Sequence, residues 1–152
     1  MPEIDPRVKR DIADHGWHVV KVMEDATGPG HAFTIGLHET HGHPEIVVVG
    51  PNLDVLHQLV NAVGEDVRAG RRFEAGQGYD GILSGMRCEF REVHLANYGD
   101  FLGYAGWYYE GAPFPALQCV WPDPEGRFPW EDGAPAELLE WQPDLAQPFK
   151  AA

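Results

Sequence analysis

The stretch from Gly28 to Gly50, GPGHAFTIGLHETHGHPEIVVVG, constrains the fold of this chain more than any other part of it. Apolar and β-branched residues flank a polar, glycine-containing centre, which predicts a strand, a polar loop and a second strand. Glu45 follows directly after His43-Pro44. We therefore expect any site chemistry to border this loop, because half of the eight histidines lie in it, at His31, His38, His41 and His43.

The first of these two strands has faces of different character. Alternate residues of a strand point to opposite sides of the sheet. One predicted face carries His31, Phe33, Ile35 and Leu37. The other carries the smaller Ala32, Thr34 and Gly36 together with His38, and this face should let another backbone or a ligand approach closely.

The helix signals are capping residues and apolar stripes. Asp5-Pro6 and Gly16 predict a short first helix, and Asn52 and Gly70 predict the start and stop of a longer one. The longer helix carries an apolar stripe at spacings of three and four: Leu53, Leu56, Val60, Val63 and Val67. An aromatic helix is predicted over Leu95–Tyr109, where Gly99, Gly103 and Gly106 indicate close packing, and a weak helix over Ala136–Trp141.

The remaining predicted strands complete an α+β or mixed α/β fold. They are Trp17–Met23, Ile46–Val49, a strand beginning at Met86, and the segment FPALQCVW, with a glycine-rich loop over residues 70–85. The pattern predicts a single compact domain over residues 1–152. Its mixed sheet of about five strands is covered by two main helices, and a Pro/Trp-rich C-terminal segment wraps the surface. Early strands, which short loops join, should pair antiparallel. Later strands are separated by helices, which leave room for them to run parallel.

Charge and cysteine content exclude several classes of protein. Eleven basic against twenty-four acidic residues give a formal charge of -13, which argues against binding nucleic acid or an anionic membrane. No apolar run approaches the roughly 20 residues that cross a bilayer, and the first residues lack an apolar signal core. Two cysteines without a CxxC spacing predict reduced thiols and a cytoplasmic location.

The histidine loop allows three kinds of chemistry. A metal site would use His38, His41 and His43, because imidazole is a common ligand for zinc or iron. An acid–base role favours His43 and Glu45 as catalytic residues. Pro44 holds His43 extended, which fixes the direction of its ring. The third alternative is a solvated, hydrogen-bonding loop. The spacing of the histidines does not by itself predict a metal site.

Other motifs argue against familiar reactions. Residues 76–81 match GxGxxG, but no strand precedes them closely and no long helix opens from them, so the match does not predict a dinucleotide site. The only serine, Ser84, is not in a GxSxG motif. Cys88 and Cys119 lie among inward-facing strand residues and are expected to be structural thiols.

An aromatic group in the second half of the chain is the other candidate site. A wall of aromatic rings with polar tips suits a flat or apolar ligand. The same residues would also serve as core. The predicted ligand-binding residues are Gln118, Trp121, Asp123, Trp130 and Tyr104.

Six ordered elements resemble the domain of unknown function 4262 family over about residues 14–131. They are GWHV, GPGHAFTIGL, GHPE, the loop around Tyr79, YxxFLGYA and FPALQCVWPDPEGRFPW. The resemblance implies a small bacterial protein and no particular activity. The resemblance implies a family pattern at His43, Pro44, Glu45, Gln118, Trp121, Pro122, Asp123 and Trp130, whereas His31, His38 and His41 stand at positions where other residues also occur.

Three functional hypotheses follow, with the cofactor unknown. The first is one pocket bordered by the GHPE loop and the WPD…FPW segment, which binds a small molecule or peptide and acts on it by acid–base chemistry. The second is a non-catalytic interaction, regulatory or immunity-type module. The third is a flavin-binding barrel. The sequence does not name the ligand or the oligomeric state.

Overall fold

One mixed sheet of six strands organises the structure, a computed structural model that describes residues 5–26, 28–83 and 86–149. The strands lie in the order β1-β2-β3-β6-β5-β4. Their bounds are β1 His18–Val22, β2 His31–Ile35, β3 Glu45–Val49, β4 Gly78–Leu83, β5 Met86–Glu92 and β6 Ala116–Val120.

The helices occupy both faces of this sheet. Their bounds are α1 Pro6–His15, α2 Leu37–His41, α3 Leu53–Arg68, α4 Tyr98–Phe101, α5 Gly103–Tyr108 and α6 Ala136–Trp141, with a 3-10 turn at Leu95–Asn97. The α+β class with a mixed sheet is therefore confirmed, with six strands where about five were expected.

Two antiparallel halves meet at a parallel pair in the middle of the sheet. Strands β1, β2 and β3 pair antiparallel, as predicted for strands joined by short loops. Strands β4, β5 and β6 form the second antiparallel set. Only β3 and β6 run parallel, with Glu45 beside Ala116. The sheet centre is therefore buried on both faces, and all residues of β3 and β6 are buried.

Helix α3 covers one face of the sheet. Asn52 caps it by accepting hydrogen bonds from the N–H groups of Asp54 (3.1 Å) and Val55 (3.3 Å). The predicted stripe packs on the sheet, with Leu53 half-buried and the rest buried. At Gly64 a Cβ would lie 2.6 Å from the ring of Trp17. The missing side chain therefore sets how closely α3 approaches the residue that precedes β1.

The opposite face packs against α1, α4, α5 and the C-terminal segment. Its core includes Val8 from α1, Phe101 from α4, Ala105 from α5 and Leu145 from the C-terminal segment. Asn97 holds that segment in place, because its amide group donates to the carbonyls of Leu145 (2.9 Å) and Gln147 (2.8 Å).

The prediction of a glycine-rich loop over residues 70–85 is wrong for part of that range. Gly78–Leu83 form the edge strand β4, which pairs with β5. The ladder shifts register between Tyr79 and Leu83, and Gly81 has a positive φ of 82°. Glycine at a strand irregularity weakens the alternating pattern, so this edge strand has the composition of a loop.

The prediction of a single aromatic helix over Leu95–Tyr109 is also wrong. The backbone leaves helical geometry at Leu102, where φ is -135°, so a 3-10 turn and two short helices replace it. Gly99, Gly103 and Gly106 have no atom within 4 Å of an added Cβ, so they do not mark close packing. They weaken the helix without being needed for a contact.

Both cysteines are buried and free. Burial raises the pKa of the Cys119 thiol, and the neighbouring Cys88 adds to the rise. This is the environment of a structural thiol rather than a nucleophile. Within the described ranges, no helix combines the length and apolarity that a membrane crossing requires.

Candidate functional site

The carboxylate of Glu45 is the most densely hydrogen-bonded group of the GHPE loop, and the side chain is 0% exposed. Its oxygens accept hydrogen bonds from the hydroxyls of Thr34 (2.6 Å) and Tyr109. They also accept from three consecutive backbone N–H groups at the start of α2, those of Gly36 (3.0 Å), Leu37 (3.1 Å) and His38 (3.2 Å). Glu45 therefore acts as the cap of α2 from a distant position in the chain.

This contact explains two features that sequence patterns misplace. The polar segment after β2, predicted as a loop, forms helix α2 over Leu37–His41 because Glu45 binds the free N–H groups at its start. The small face of β2, predicted to admit a backbone or a ligand, receives the Glu45 side chain at Thr34. Gly36, predicted on the same face, lies beyond the end of β2, and a Cβ there would lie 2.7 Å from the side chain of Ile12.

Two opposing effects set the protonation of the Glu45 centre. Burial raises the pKa of the Glu45 carboxyl, and the hydrogen bonds from Thr34, Tyr109 and the backbone act in the other direction. Burial and the neighbouring Glu45 raise the pKa of the Tyr109 hydroxyl well above its ordinary value. Tyr109 is therefore a neutral hydroxyl that donates to the carboxylate.

A second acidic group extends the network toward the surface. The Tyr109 hydroxyl accepts from the N–H of Glu39 (3.3 Å), and Tyr108 donates to the Glu39 carboxylate (2.6 Å). The network thus ties α2 to the end of α5. Through these contacts Glu45 links α2 to β2 and to Tyr109, the residue that follows α5.

His43 is fully buried and uses both ring nitrogens. Its Nδ1 donates to the Pro44 carbonyl (2.9 Å), and its Nε2 accepts from the N–H of Phe73 (3.0 Å). Arg72 donates to the carbonyls of His41 (2.9 Å) and Gly42 (3.0 Å). These contacts fasten the segment after α3 to the GHPE loop, and the acceptor role of Nε2 requires a neutral imidazole.

We expect His43 to make folding stability depend on pH. Burial lowers the pKa of His43 below its ordinary value of 6.5, and Arg72 adds to the effect. In the unfolded chain His43 therefore binds a proton near pH 6.5, whereas the imidazole of the native state stays neutral there. This stability is complete above pH 6.5 and falls as the pH drops below it, by at most about 1.4 kcal/mol per pH unit.

Urea unfolding of wild type and His43→Gln between about pH 7.5 and about pH 5, a range that spans the ordinary histidine pKa, measures the effect. Glutamine keeps an acceptor for the Phe73 N–H, so His43→Gln should fold and show a shallower slope. Burial also lowers the pKa of His31, so His31→Gln should remove a separate part of the slope. Equal slopes for wild type and His43→Gln would contradict the assignment.

The histidines of the loop do not gather around a common point. Among the described residues, no group of three or more His, Cys, Asp or Glu side chains is placed to hold a metal ion. His43 has both nitrogens engaged. Buried nitrogens without a hydrogen-bond partner in the structure are Nδ1 of His38 and Nε2 of His41.

The predicted ligand-binding residues Gln118 and Trp121 contact other parts of the chain. The Gln118 amide donates to the Pro143 carbonyl (2.9 Å) and its oxygen accepts from the N–H of Leu145 (2.9 Å). Trp121 donates from its indole to the carbonyl of Val49 (3.1 Å). These contacts fasten the C-terminal segment and close the end of β3.

The other three predicted residues lie in different surroundings. Asp123 accepts from the backbone N–H of Arg127 (2.8 Å) and from its side chain (2.9 Å). Trp130 is 38% exposed, and the Arg91 guanidinium lies 3.9 Å from its ring centre. Tyr104 is 36% exposed and lines a groove beside α1.

The GHPE loop and the WPD…FPW segment lie at opposite ends of the parallel pair β3–β6. Glu45 begins β3, whereas Trp121 follows β6 and binds Val49 at the far end of β3. Four residues of strand at about 3.3 Å each place these ends roughly 13 Å apart. The start of the WPD…FPW segment, at Trp121, therefore lies about one strand length from the GHPE loop.

Two grooves flank the outer edge of β1, and sequence reasoning missed this surface. The α1 groove, of about 510 Å³, is lined by Arg10, His18, Val20, Lys21 and Tyr104 among others. The α3 groove, of about 530 Å³, is lined by Asp11, Trp17, Val19, Lys21 and Glu65 among others. Both include Val19 and Lys21. The only sequence signal is a short strand rich in β-branched residues and without Pro or Gly, which does not reveal an edge.

The hydrogen-bond pattern of β2 fixes which groups of β1 face outward. In an antiparallel ladder, successive residues bond alternately to the two sides. The N–H of Gly50 donates to the carbonyl of Gly30 (3.0 Å), and this pair extends the β2–β3 register by one residue. Even-numbered residues of β2 therefore bond toward β3, and odd-numbered residues bond toward β1.

The same alternation leaves Val19 and Lys21 facing away from the sheet. Val20 pairs with Phe33 and so bonds to β2, which turns the N–H and C=O groups of Val19 and Lys21 toward the outer edge. No hydrogen bond from another described residue reaches these outward groups. Within the part of the chain that the structure describes, the β1 edge is thus a row of donors and acceptors without backbone partners, between two grooves.

Comparison with known proteins identifies the family of this chain. A family model described as a domain of unknown function, DUF4262, matches residues 11–135, in agreement with the resemblance seen in the sequence. No curated protein and no solved structure matches the chain.

Proposed function

Because the chain belongs to the DUF4262 family, whose description states no activity, we propose from its contacts that it is a non-catalytic interaction module. Its binding element is the outer edge of β1, which accepts an added β-strand. The single observation that carries the proposal is the outward backbone of Val19 and Lys21 between two grooves. An added strand gains main-chain hydrogen bonds, and its alternate side chains enter the two grooves.

The state of the predicted catalytic groups supports this choice over acid–base chemistry. Glu45 and His43 are each 0% exposed and bind neighbouring parts of the chain. A general acid or base must come within hydrogen-bond reach of its substrate. Buried, reduced thiols suit the cytoplasmic location that forms part of the proposal.

The regular shape of β1 further supports strand addition. Strand β4, at the other edge of the sheet, carries a register shift and a glycine of positive φ. Such irregularities turn an edge away from partners. Strand β1 pairs with β2 over five residues without a shift.

Binding of a short peptide that alternates valine with glutamine tests the proposal by fluorescence anisotropy. Lys21→Pro removes the outward N–H of an exposed edge residue, which the strand tolerates because that group bonds nothing in β2. We expect Lys21→Pro to weaken binding by at least about tenfold.

Lys21→Gln is the matched control, since it removes the charge and keeps the N–H. It should bind nearly as well as wild type, and so should Asp80→Pro on the β4 edge. Circular dichroism confirms that each variant is folded. Equal binding by Lys21→Pro and Lys21→Gln, or a monomeric wild type that does not bind the peptide, would refute the proposal.

A ligand at the GHPE loop is the second candidate function. The observation in its favour is Nδ1 of His38, which is buried without a hydrogen-bond partner in the structure, beside the ring of Tyr109. Screening of small acids and amides by thermal shift tests it. A stabilisation that His38→Phe removes would support it, and a stabilisation that persists in His38→Phe would contradict it.

A further inference from the structure

We propose that the strand added to β1 is β1 of a second copy of this chain, so that two sheets join into one across a two-fold axis. The inference rests on the proposed function and names its partner. It is argued from the register of the outward groups and from the charges in the two grooves.

The outward groups of β1 are complementary to themselves. A two-fold axis through Val20 places Val19 of one copy opposite Lys21 of the other, and the reverse. Residues opposite each other in a hydrogen-bonded antiparallel pair exchange two hydrogen bonds. Every outward N–H and C=O of Val19 and Lys21 then has a partner, without any shift of the strand.

The same axis brings opposite charges together. Lys21 of one copy lies beside Val19 of its partner, in the α3 groove, which also contains Asp11 and Glu65. Lys21 makes no ion pair with a described residue of its own copy. Lys21 of each copy therefore lies against the acidic α3 groove of its partner, and the two-fold axis produces this contact twice.

The overall charge of the chain favours this surface for self-association. Two copies that each carry a formal charge of -13 repel one another over most of their surfaces. The two grooves together contain as many cationic as acidic side chains: Arg7, Arg10 and Lys21 against Asp5, Asp11 and Glu65. Contact here avoids the repulsion between like charges.

Sedimentation equilibrium over a wide range of protein concentration tests the inference. Wild type should reach twice the 16.9 kDa mass of the chain. Lys21→Glu should weaken the dimer by at least about tenfold, because it sets a third carboxylate against Asp11 and Glu65 of the partner. Adding Glu65→Lys to Lys21→Glu exchanges the charges and should restore the dimer.

Backbone and control variants separate this inference from the proposed function. Lys21→Pro should give a monomer, and Asp80→Pro on the β4 edge should remain a dimer. A wild-type monomer that still binds the valine–glutamine peptide would overturn the inference and leave the proposed function intact. A dimer unaffected by Lys21→Pro, or a charge exchange that fails to restore association, would overturn the inference. A wild type that neither dimerises nor binds the peptide would end both.

Discussion

Replacing Val60 by aspartate is expected to leave almost no folded protein. Val60 is 0% exposed and packs in the core between α3 and the sheet. An aspartate there buries a carboxylate with no partner, and the cost exceeds about 5 kcal/mol. Because domains of this size have stabilities of about 5–15 kcal/mol, the loss removes most or all of the folding free energy.

Val55→Asp is the matched control, since Val55 lies on the same helix and is 44% exposed. It should change stability by less than about 0.5 kcal/mol. Circular dichroism and urea unfolding of both variants measure the difference. A Val60→Asp protein with the melting curve of wild type would show that α3 does not pack on the sheet through this face.

Replacing Glu45 by alanine should have the second-largest effect. The substitution leaves two hydroxyls and three N–H groups at the start of α2 without their acceptor. A buried polar group that loses its partner lowers the free energy of unfolding by about 1–3 kcal/mol. Water that enters the space replaces some of the lost hydrogen bonds and reduces the total. We expect a loss of about 4 kcal/mol, as for breaking a buried charged contact.

Glu45→Gln separates the role of shape from that of charge. The glutamine oxygen still accepts hydrogen bonds, but its amide group faces donors, so about half of the loss should remain. Glu39→Ala, at the exposed end of the same network, should cost less than about 1 kcal/mol. Urea unfolding of the three variants checks the order. A Glu45→Ala protein as stable as Glu39→Ala would show that the centre does not hold α2.

Local sequence patterns predicted the elements that carry their own signals. Asp5 and Gly16 bound α1, and Asn52 caps α3, as expected from their capping chemistry. The β-branched run at Ile46–Val49 forms a strand buried on both faces. The weak helix at Ala136–Trp141 forms over those residues.

Elements that depend on distant contacts were not predictable in the same way. Helix α2 exists because Glu45 binds its N–H groups, and nothing within HETHG indicates that partner. Strand β4 has the composition of a loop and is held by β5. Tertiary contacts of this kind override local propensity.

The candidate site shows the same limit more strongly. Sequence reasoning selected His43, Glu45 and Gln118 because they are polar residues in motifs typical of function. All three are buried, and each hydrogen-bonds to another part of the chain. The β1 edge has no unusual residue that a sequence would reveal, because its outward groups are backbone atoms whose exposure depends on which strands pair.

The parallel pair β3–β6 has a consequence for the order in which the chain folds. About seventy residues separate Glu45 from Ala116, so this contact closes a far longer loop than any hairpin in either half. Strands β1 to β3, and likewise β4 and β5, have only short loops to close. Strands within each half can therefore pair early. The rate of folding is governed by the pairing of β3 with β6, which joins the two halves.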